Sequence, residues 1–188
     1  MTVLLTAAQM RSVEAAAIAS GAMTGLELME RAGASVVEAV FAEWPTLAAG
    51  TFRAVVLCGP GNSGGGGGFV VARLLKEWDW AVEVLLYGEP ARLLPDARVN
   101  YERWIDVGSV VAWSGQMFEA VETENGVDLY VDAVFGGGLT RAPSENFLSP
   151  MLEGFCGKEG VVDIDVPTGL CASSGKSMEE NGIVPFMR

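Results

Sequence analysis

The sequence contains no histidine, and positively charged residues are scarce. Without histidine, a Ser-His-Asp triad, a Cys-His pair and a histidine-based metal site are excluded. Acid–base chemistry must therefore come from Asp, Glu, Lys, Tyr or Cys, or from the bound molecule. The chain has 12 Lys and Arg against 24 Asp and Glu, which gives a net charge of −12. Because a basic footprint is missing, we expect neither nucleic acid nor an anionic membrane as a partner.

Cysteines and long apolar segments are also few. The three cysteines, Cys58, Cys156 and Cys171, are odd in number and lack metal-ligand spacing, which favours incidental thiols in a reducing compartment. No segment approaches the roughly 20 apolar residues that span a bilayer. The N-terminus has no basic region before its apolar part, so it does not resemble a signal peptide. We therefore expect a cytoplasmic protein.

Half of the 188 residues are apolar, which is typical of a globular chain and enough for one domain with a substantial core. Two N-terminal segments carry the pattern of a capping box, in which a Thr is followed three residues later by Gln or Glu. Thr6 with Gln9 predicts a first helix that ends at about Ser20, and Thr24 with Glu27 predicts a second.

From residue 53 onward, short apolar runs alternate with helical patterns. The predicted strands are 54–58, 81–87, 109–113, 128–135 and 160–166, and the predicted helices are 69–78, 95–104, 115–121 and 145–156. Continuous Val, Leu and Ile runs separated by helices are typical of a parallel sheet that is covered on both faces. The pattern predicts an α/β, Rossmann-like three-layer αβα domain with a mainly parallel central sheet and two N-terminal helices packed outside it.

Three unusual loops follow predicted strands, at residues 59–68, 132–141 and 163–169. In an open parallel sheet, ligands bind beyond the carboxyl ends of the strands. The first loop, GPGNSGGGGG, fits a phosphate-binding turn at a helix N-terminus, and it equally fits a tight turn without a ligand. It lacks the Lys of a P-loop, and Tyr87 stands where a dinucleotide-binding domain has an acidic residue.

Two carboxylates, Asp132 and Asp165, lie at or just after predicted strands in the second and third loops. Either one alone could simply cap a turn. Together, at the same end of the sheet as a glycine-rich loop, they are candidates for acid–base chemistry or for binding a cation. Ser63 and Thr168 could add neutral oxygens, which suit a weakly hydrated cation better than a transition metal.

The three loops in their order resemble the NAD(P)H-hydrate epimerase family, also called the YjeF N-terminal domain. The resemblance rests on VVLCGPGNSGGGGGFVVARLL, VDAVFGGGLTRAP and DIDVPTGL, and LELMERAG is similar to the second helix of the family. It implies a single domain over residues 1–188, and we expect the C-terminal end of the family domain to be missing.

The resemblance also implies an activity. Members of this family interconvert the R and S epimers of hydrated NADH and NADPH (NADHX and NADPHX), bind a potassium ion, form homodimers, and work together with an NAD(P)HX dehydratase. It implies Asp165 as the catalytic residue and as a substrate contact, and Ser63, Asp132 and Thr168 as potassium ligands. The further substrate-binding positions that it implies are Asn62, Ser63, Gly64, Gly65, Gly66, Gly136, Gly137, Gly138, Leu139, Thr140, Arg141 and Ala142.

The glycine loop departs from the family pattern GPGNNGGDG. It is one residue longer, Ser63 replaces the second Asn, and glycine replaces the Asp. The missing Asp corresponds to Gly66 when counted from the strand and to Gly67 when counted from Phe69. Because extra glycine adds backbone freedom that binding must restrict, we expect weakened substrate binding and an impaired enzyme.

Two other functions remain open at this point. A catalytically degenerate nucleotide-binding or protein-interaction module would keep the fold, and the altered loop favours it, whereas Asp132 and Asp165 argue against it. An ordinary NAD(P)-dependent oxidoreductase is disfavoured by the missing acidic residue after the second strand and by the absence of a Tyr-Lys or His dyad.

Overall fold

The alternating pattern folds into strands and helices in the predicted order. The computed structural model describes residues 5–123, 126–139 and 142–178. Within these ranges the α-helices and β-strands are α1 (Ala7–Ala19), α2 (Gly25–Glu43), β1 (Arg53–Cys58), α3 (Gly67–Glu77), β2 (Ala81–Leu86), α4 (Pro95–Ile105), β3 (Val110–Ala112), α5 (Gly115–Thr123), β4 (Leu129–Ala133), α6 (Glu145–Phe155) and β5 (Val161–Asp163).

Both capping boxes form as predicted. The Thr6 hydroxyl accepts a hydrogen bond from the Gln9 amide at 3.3 Å, and Gln9 Oε1 accepts from the Thr6 amide at 2.9 Å. Thr24 and Glu27 make the same exchange at 3.2 and 2.7 Å. Each box satisfies two amides that have no acceptor within the helix, so the sequence defines where α1 and α2 begin.

The five strands form one parallel sheet in the order β3-β2-β1-β4-β5. The direction of the chain across the sheet reverses between β1 and β4, which are paired from Ala54 with Leu129 to Cys58 with Ala133. Strand β5 ends at Asp163, three residues earlier than predicted, because the chain leaves the sheet there to form the third loop. The predicted parallel α/β sheet is confirmed.

Helices cover both faces of the sheet. Val56 and Cys58 of β1 belong to a core shared with α2, α3 and α4, whereas Val55 and Leu57 belong to a core shared with α5 and α6. Helix α2 packs against α3 and adds Val37 and Val40 to the first of these cores. It approaches α3 closely at Gly33, where an added Cβ would lie 2.5 Å from the Val70 side chain.

Helix α1 lies outside the layers, as predicted, and has no buried residue. Among the described residues, no helix is both long and apolar enough to cross a membrane. Cys58 is fully buried in the core, and burial raises the pKa of its thiol. This thiol is therefore a packing element and is chemically inert at neutral pH.

Candidate functional site

The candidate site lies where the chain direction reverses, beyond the carboxyl ends of β1, β4 and β5. The loop after β1 and the loop after β4 are joined at their bases, because the Gly59 amide donates to the Ala133 carbonyl at 2.9 Å. Paired parallel strands bring the third loop beside them, since Asp132 is the register partner of Asp163. The crevice outside such a reversal is where open α/β sheets bind ligands.

The glycine-rich loop is a wide helical turn that leads directly into α3. Residues Asn62–Gly66 form a π-type turn, in which the Gly66 amide donates to the Gly61 carbonyl five residues earlier at 3.1 Å. Helix α3 then begins at Gly67, two residues before the predicted start. Such single-turn widenings are typical of functional sites in helices.

Packing requires glycine at several positions of this run. A Cβ added at Gly65 would overlap the Gly59 carbonyl, and one added at Gly59 would overlap the Val134 carbonyl. At Gly68 it would lie 2.6 Å from Ala133 Cβ and from Cys58 Sγ. Residues 64–68 are buried and the turn is hydrogen-bonded, so the folded structure restrains this backbone, while the expected weakening of substrate binding stays a prediction.

Asn62, a predicted substrate contact, has a structural partner. Its Oδ1 accepts a hydrogen bond from the Ala97 amide at 3.3 Å in the first turn of α4, and the nearby Pro60 carbonyl accepts from the Leu94 amide at 3.4 Å. Leu94 is the N-cap residue of α4, and its side chain makes no capping hydrogen bond. Asn62 supplies that hydrogen bond from another loop. Ser63 is a predicted potassium ligand. The structure describes its backbone and does not describe its side chain.

Asp132 and Thr168 come together as the sequence suggested. Thr168 donates to Asp132 through its amide and through its hydroxyl, each at 2.7 Å, and the Val134 amide adds a bond at 3.1 Å. The Thr168 hydroxyl also accepts from the Phe135 amide at 3.3 Å. Burial raises the pKa of Asp132, whereas the Thr168 and Val134 bonds favour its ionised form. This network ties the second loop to the third.

Asp163 is a site residue that the sequence reasoning did not select. It faces Asp132 across the neighbouring strand, and its buried Oδ1 has no hydrogen-bond partner among the described residues. Burial, and then the charge of Asp132, raise the pKa of Asp163 to about 7. No local sequence pattern marks this pair, because it depends on the register of β4 and β5, in which Asp132 is paired with Asp163.

The oxygens of this pair and of Thr168 fit a monovalent cation. Two facing carboxylates either share a proton or hold a positive charge between them, and the orphaned Asp163 Oδ1 has a buried lone pair to offer. A hard alkali cation prefers oxygen ligands, and all three side chains supply them. Among the described residues, no group of three or more Asp, Glu or Cys side chains comes together.

The free energy of unfolding of the wild type is expected to fall as the pH rises from about 4 to about 7, and Asp163→Asn should remove this pH dependence. An unfolded Asp titrates at its ordinary pKa of 3.8, whereas folded Asp163 titrates at about 7. Between these values the folded chain holds a proton that the unfolded chain has lost, so the free energy of unfolding falls as the pH rises. Linkage gives about 1.4 kcal/mol for each pH unit that separates the two pKa values.

This prediction is checked by urea unfolding at pH 5 and pH 8 in tetramethylammonium buffers without alkali cations. The wild type should lose more stability between the two pH values than Asp163→Asn, because asparagine stays neutral throughout. Asp106→Asn, at an exposed position after α4, should behave as the wild type. Equal losses in the wild type and in Asp163→Asn would contradict the prediction.

Asp165 lies beside the glycines of the second loop. Its Oδ2 accepts a hydrogen bond from the Gly137 amide at 2.7 Å, and a Cβ added at Gly136 would overlap this same oxygen. Glycine at position 136 therefore lets the carboxylate approach the backbone. Asp165 itself is exposed, so one end of the carboxylate is held while the group stays accessible to a ligand.

The remaining predicted lining residues are only partly described. Gly138 and Ala142 are exposed, and the Leu139 amide closes a turn onto the Gly136 carbonyl at 3.0 Å. Thr140 and Arg141 lie outside the described residues. The structure therefore brings the Gly136–Leu139 turn together with Asp165, and the predicted contribution of positions 140 and 141 stays a prediction.

Tyr87 stands where a dinucleotide-binding domain has an acidic residue, and its ring packs against other aromatic rings. Its ring lies 4.0 Å from the Phe147 ring and 5.8 Å from the Phe135 ring, measured between centroids. Here the end of β2 packs against aromatic residues and offers no carboxylate for a ribose. This arrangement argues against an ordinary dehydrogenase.

Comparison with known proteins agrees with the resemblance drawn from the sequence. The family profile described as YjeF-related protein N-terminus matches residues 25–185. A protein of Rhodobacter capsulatus named NAD(P)H-hydrate epimerase is 49% identical over 173 residues, which cover 90% of this chain and 78% of the relative. One of the same name from Roseobacter litoralis is 46% identical over 181 residues, covering 89% and 78%.

Two further similarities extend the comparison. A Gloeobacter violaceus protein named bifunctional NAD(P)H-hydrate repair enzyme Nnr is 36% identical over 175 residues, which cover 93% of this chain and 32% of the relative. Among solved structures, that of yeast ynu0, YNL200c superimposes with a TM-score of 0.77 at 25% identity, covering 98% of this chain and 78% of the yeast chain.

Proposed function

The chain belongs to the family of YjeF-related protein N-termini, and we propose that it acts as an NAD(P)H-hydrate epimerase, an isomerase of nicotinamide nucleotide repair. Relatives at 46% and 49% identity carry that name. The observation that carries the proposal is the position of Asp165, an exposed carboxylate that is held by the Gly137 amide where three loops meet.

The substrate chemistry suits this site. In a hydrated nicotinamide ring, the carbon that carries the hydroxyl is bonded to the ring nitrogen. It can lose the hydroxyl as water, leaving a cation that water attacks from the other face. Alternatively, the hydroxyl loses its proton and the carbon–nitrogen bond breaks to give an aldehyde, with the electron pair left on the ring nitrogen. That nitrogen then attacks the other face of the aldehyde, and the new alkoxide takes the proton back. Both routes need proton transfer at an oxygen atom.

Asp165 is the group that we assign to this proton transfer. In the first route it protonates the leaving hydroxyl and then accepts a proton from the incoming water; in the second it accepts the hydroxyl proton and returns it after ring closure. The Gly137 amide holds Oδ2, which fixes the position of the carboxylate that exchanges the proton.

We assign a potassium ion to the oxygens of Asp132, Asp163 and Thr168, with Ser63 as a further ligand. The unpartnered Asp163 Oδ1 supports this assignment. The ion would offset part of the negative charge of the two facing carboxylates. A homodimer and a functional link to an NAD(P)HX dehydratase also belong to the proposal, the latter supported by relatives that are named as bifunctional repair enzymes.

The glycine-rich turn and the second loop would hold the dinucleotide. The first amides of a helix have no acceptor within it and attract phosphate, and the turn at Asn62–Gly66 lies beside Ala133 and Val134. Because this loop lacks the carboxylate that the family pattern places there, we propose that substrate binding is weaker than the pattern would give.

The test follows the R epimer of NADHX in a coupled assay, in which a dehydratase specific for the S epimer consumes the product. Conversion faster than the spontaneous rate is expected, and it should be faster in potassium than in tetramethylammonium buffer. If the protein binds the nucleotide without accelerating conversion, the non-catalytic binding module becomes the better interpretation.

A further inference from the structure

Helix α1 is joined to the candidate site by one arginine. Arg11 Nη1 donates to the Gly137 carbonyl at 3.0 Å, across 126 positions of the chain. The other side-chain hydrogen bonds described within α1 and at its caps are local, such as that of Ser12 with the Ala8 carbonyl. Since α1 has no buried residue, burial does not explain why it lies over the second loop.

The residue that Arg11 contacts also holds Asp165. Gly137 donates its amide to Asp165 Oδ2 at 2.7 Å and accepts the Arg11 bond on its carbonyl. Both polar groups of one glycine are thus occupied, one by the candidate catalytic carboxylate and one by a positively charged side chain. An arginine bond to a carbonyl is charge-assisted and stronger than a neutral one.

Three successive glycines explain why the loop needs the hydrogen bond from Arg11 to the Gly137 carbonyl. Gly136, Gly137 and Gly138 have no side chains that could fix the loop by packing, and glycine can adopt more backbone conformations than any other residue. The turn from Leu139 to Gly136 restrains the ends of the segment. Among the described residues, the side-chain hydrogen bonds of Gly137 are those with Arg11 and Asp165.

We propose that Arg11 is a positioning residue for Asp165, which acts by fixing Gly137 and does not touch the reacting atoms. This rests on the proposed epimerase function. The competing role for an exposed arginine beside a dinucleotide site is direct contact with a substrate phosphate. The two roles differ in kinetics, because positioning affects the chemical step and phosphate contact affects binding.

The experiment compares wild type, Arg11→Gln, Arg11→Lys and the control Arg31→Gln, which changes an exposed arginine on α2. In the coupled assay with the R epimer of NADHX, Arg11→Gln should lower kcat at least 10-fold and change KM less than 3-fold. Arg11→Lys retains a cationic donor and should recover at least a third of the wild-type kcat. Arg31→Gln should leave both constants unchanged.

A second readout does not depend on activity. The Gly137 amide signal in a ¹H–¹⁵N spectrum should move in Arg11→Gln toward its position in Asp165→Ala, where the acceptor of the Gly137 amide is lost, and should stay in place in Arg31→Gln. A raised KM with unchanged kcat, or an unmoved Gly137 signal, would overturn the positioning role. An inactive wild type would instead refute the epimerase function, and the Gly137 signal would still test Arg11.

Discussion

Asp165→Asn is expected to lower kcat for epimerisation of NADHX by about 10²- to 10⁴-fold, the usual contribution of general acid–base catalysis. Asparagine keeps the size of the side chain and can still accept the Gly137 hydrogen bond that Asp165 accepts at 2.7 Å. It cannot take up and return a proton. The fold should therefore persist, and the free energy of unfolding should change by less than about 1 kcal/mol, as is usual for an exposed position.

The matched control for this substitution is Asp106→Asn, which removes an exposed carboxylate at the end of α4. Both variants lose one negative charge from the chain, so a general effect of charge on the binding of an anionic dinucleotide would appear in both. Initial rates with the R epimer, measured at several dehydratase concentrations, give kcat free of the coupling step. Full activity in Asp165→Asn would show that another group transfers the proton.

The second large effect is expected in the glycine-rich turn. Gly65→Ala should destabilise the fold by about 3 kcal/mol or more, because the new methyl group would overlap the Gly59 carbonyl. The backbone of Gly59 cannot move aside, since its amide is bonded to the Ala133 carbonyl at 2.9 Å and its own Cα lies against Val134. The measurement is urea unfolding followed by circular dichroism.

Gly67→Ala is the matched control, because Gly67 is the first residue of α3 and belongs to the same run of glycines. A Cβ there would lie 3.3 Å from Ile164 Cγ2, a side-chain methyl that can shift. Alanine is also favoured over glycine in a helix by about 1 kcal/mol. Gly67→Ala should therefore leave stability unchanged or slightly raised, and equal losses in both variants would refute the steric argument.

Much of the fold follows from local sequence patterns. The Thr6 and Thr24 capping boxes determine where the first two helices begin, and uninterrupted apolar runs require strands buried on both faces. The carboxyl ends of such strands then lie at one edge of the sheet. Asp132 and Thr168 could for that reason be predicted to meet, although they are 36 positions apart.

The rest depends on contacts between segments that no local pattern encodes. Asp163 could not be predicted from the sequence, because only the register of β4 and β5 shows that it faces Asp132. The role of Asn62 depends on where α4 begins in space, and the hydrogen bond of Arg11 depends on where α1 lies. Each of these requires the tertiary arrangement of two elements that are distant in sequence.

The structure also favours one of the two ways to align the glycine loop with the family pattern. A Cβ added at Gly66 would overlap the Met29 sulfur, whereas at Gly67 it would point to Ile164, between the two carboxylates of the third loop. A Cβ at Gly67 would meet only a side-chain methyl at 3.3 Å, whereas one at Gly66 would displace the end of the Met29 side chain and lie 3.3 Å from Ala97 Cα. The count from Phe69, which places the missing Asp at position 67, agrees with this geometry.

The wide turn at Asn62–Gly66 has a consequence for the history of the loop. A π-type turn holds one residue more than an α-type turn between its bonded groups, so the additional glycine is taken up there while the helix from Gly67 onward keeps its place. Removal of one glycine codon would narrow the turn without rotating α3. Ancestors with the longer and the shorter loop could thus both fold, and a change in length beneath the candidate site need not have passed through an unfolded intermediate.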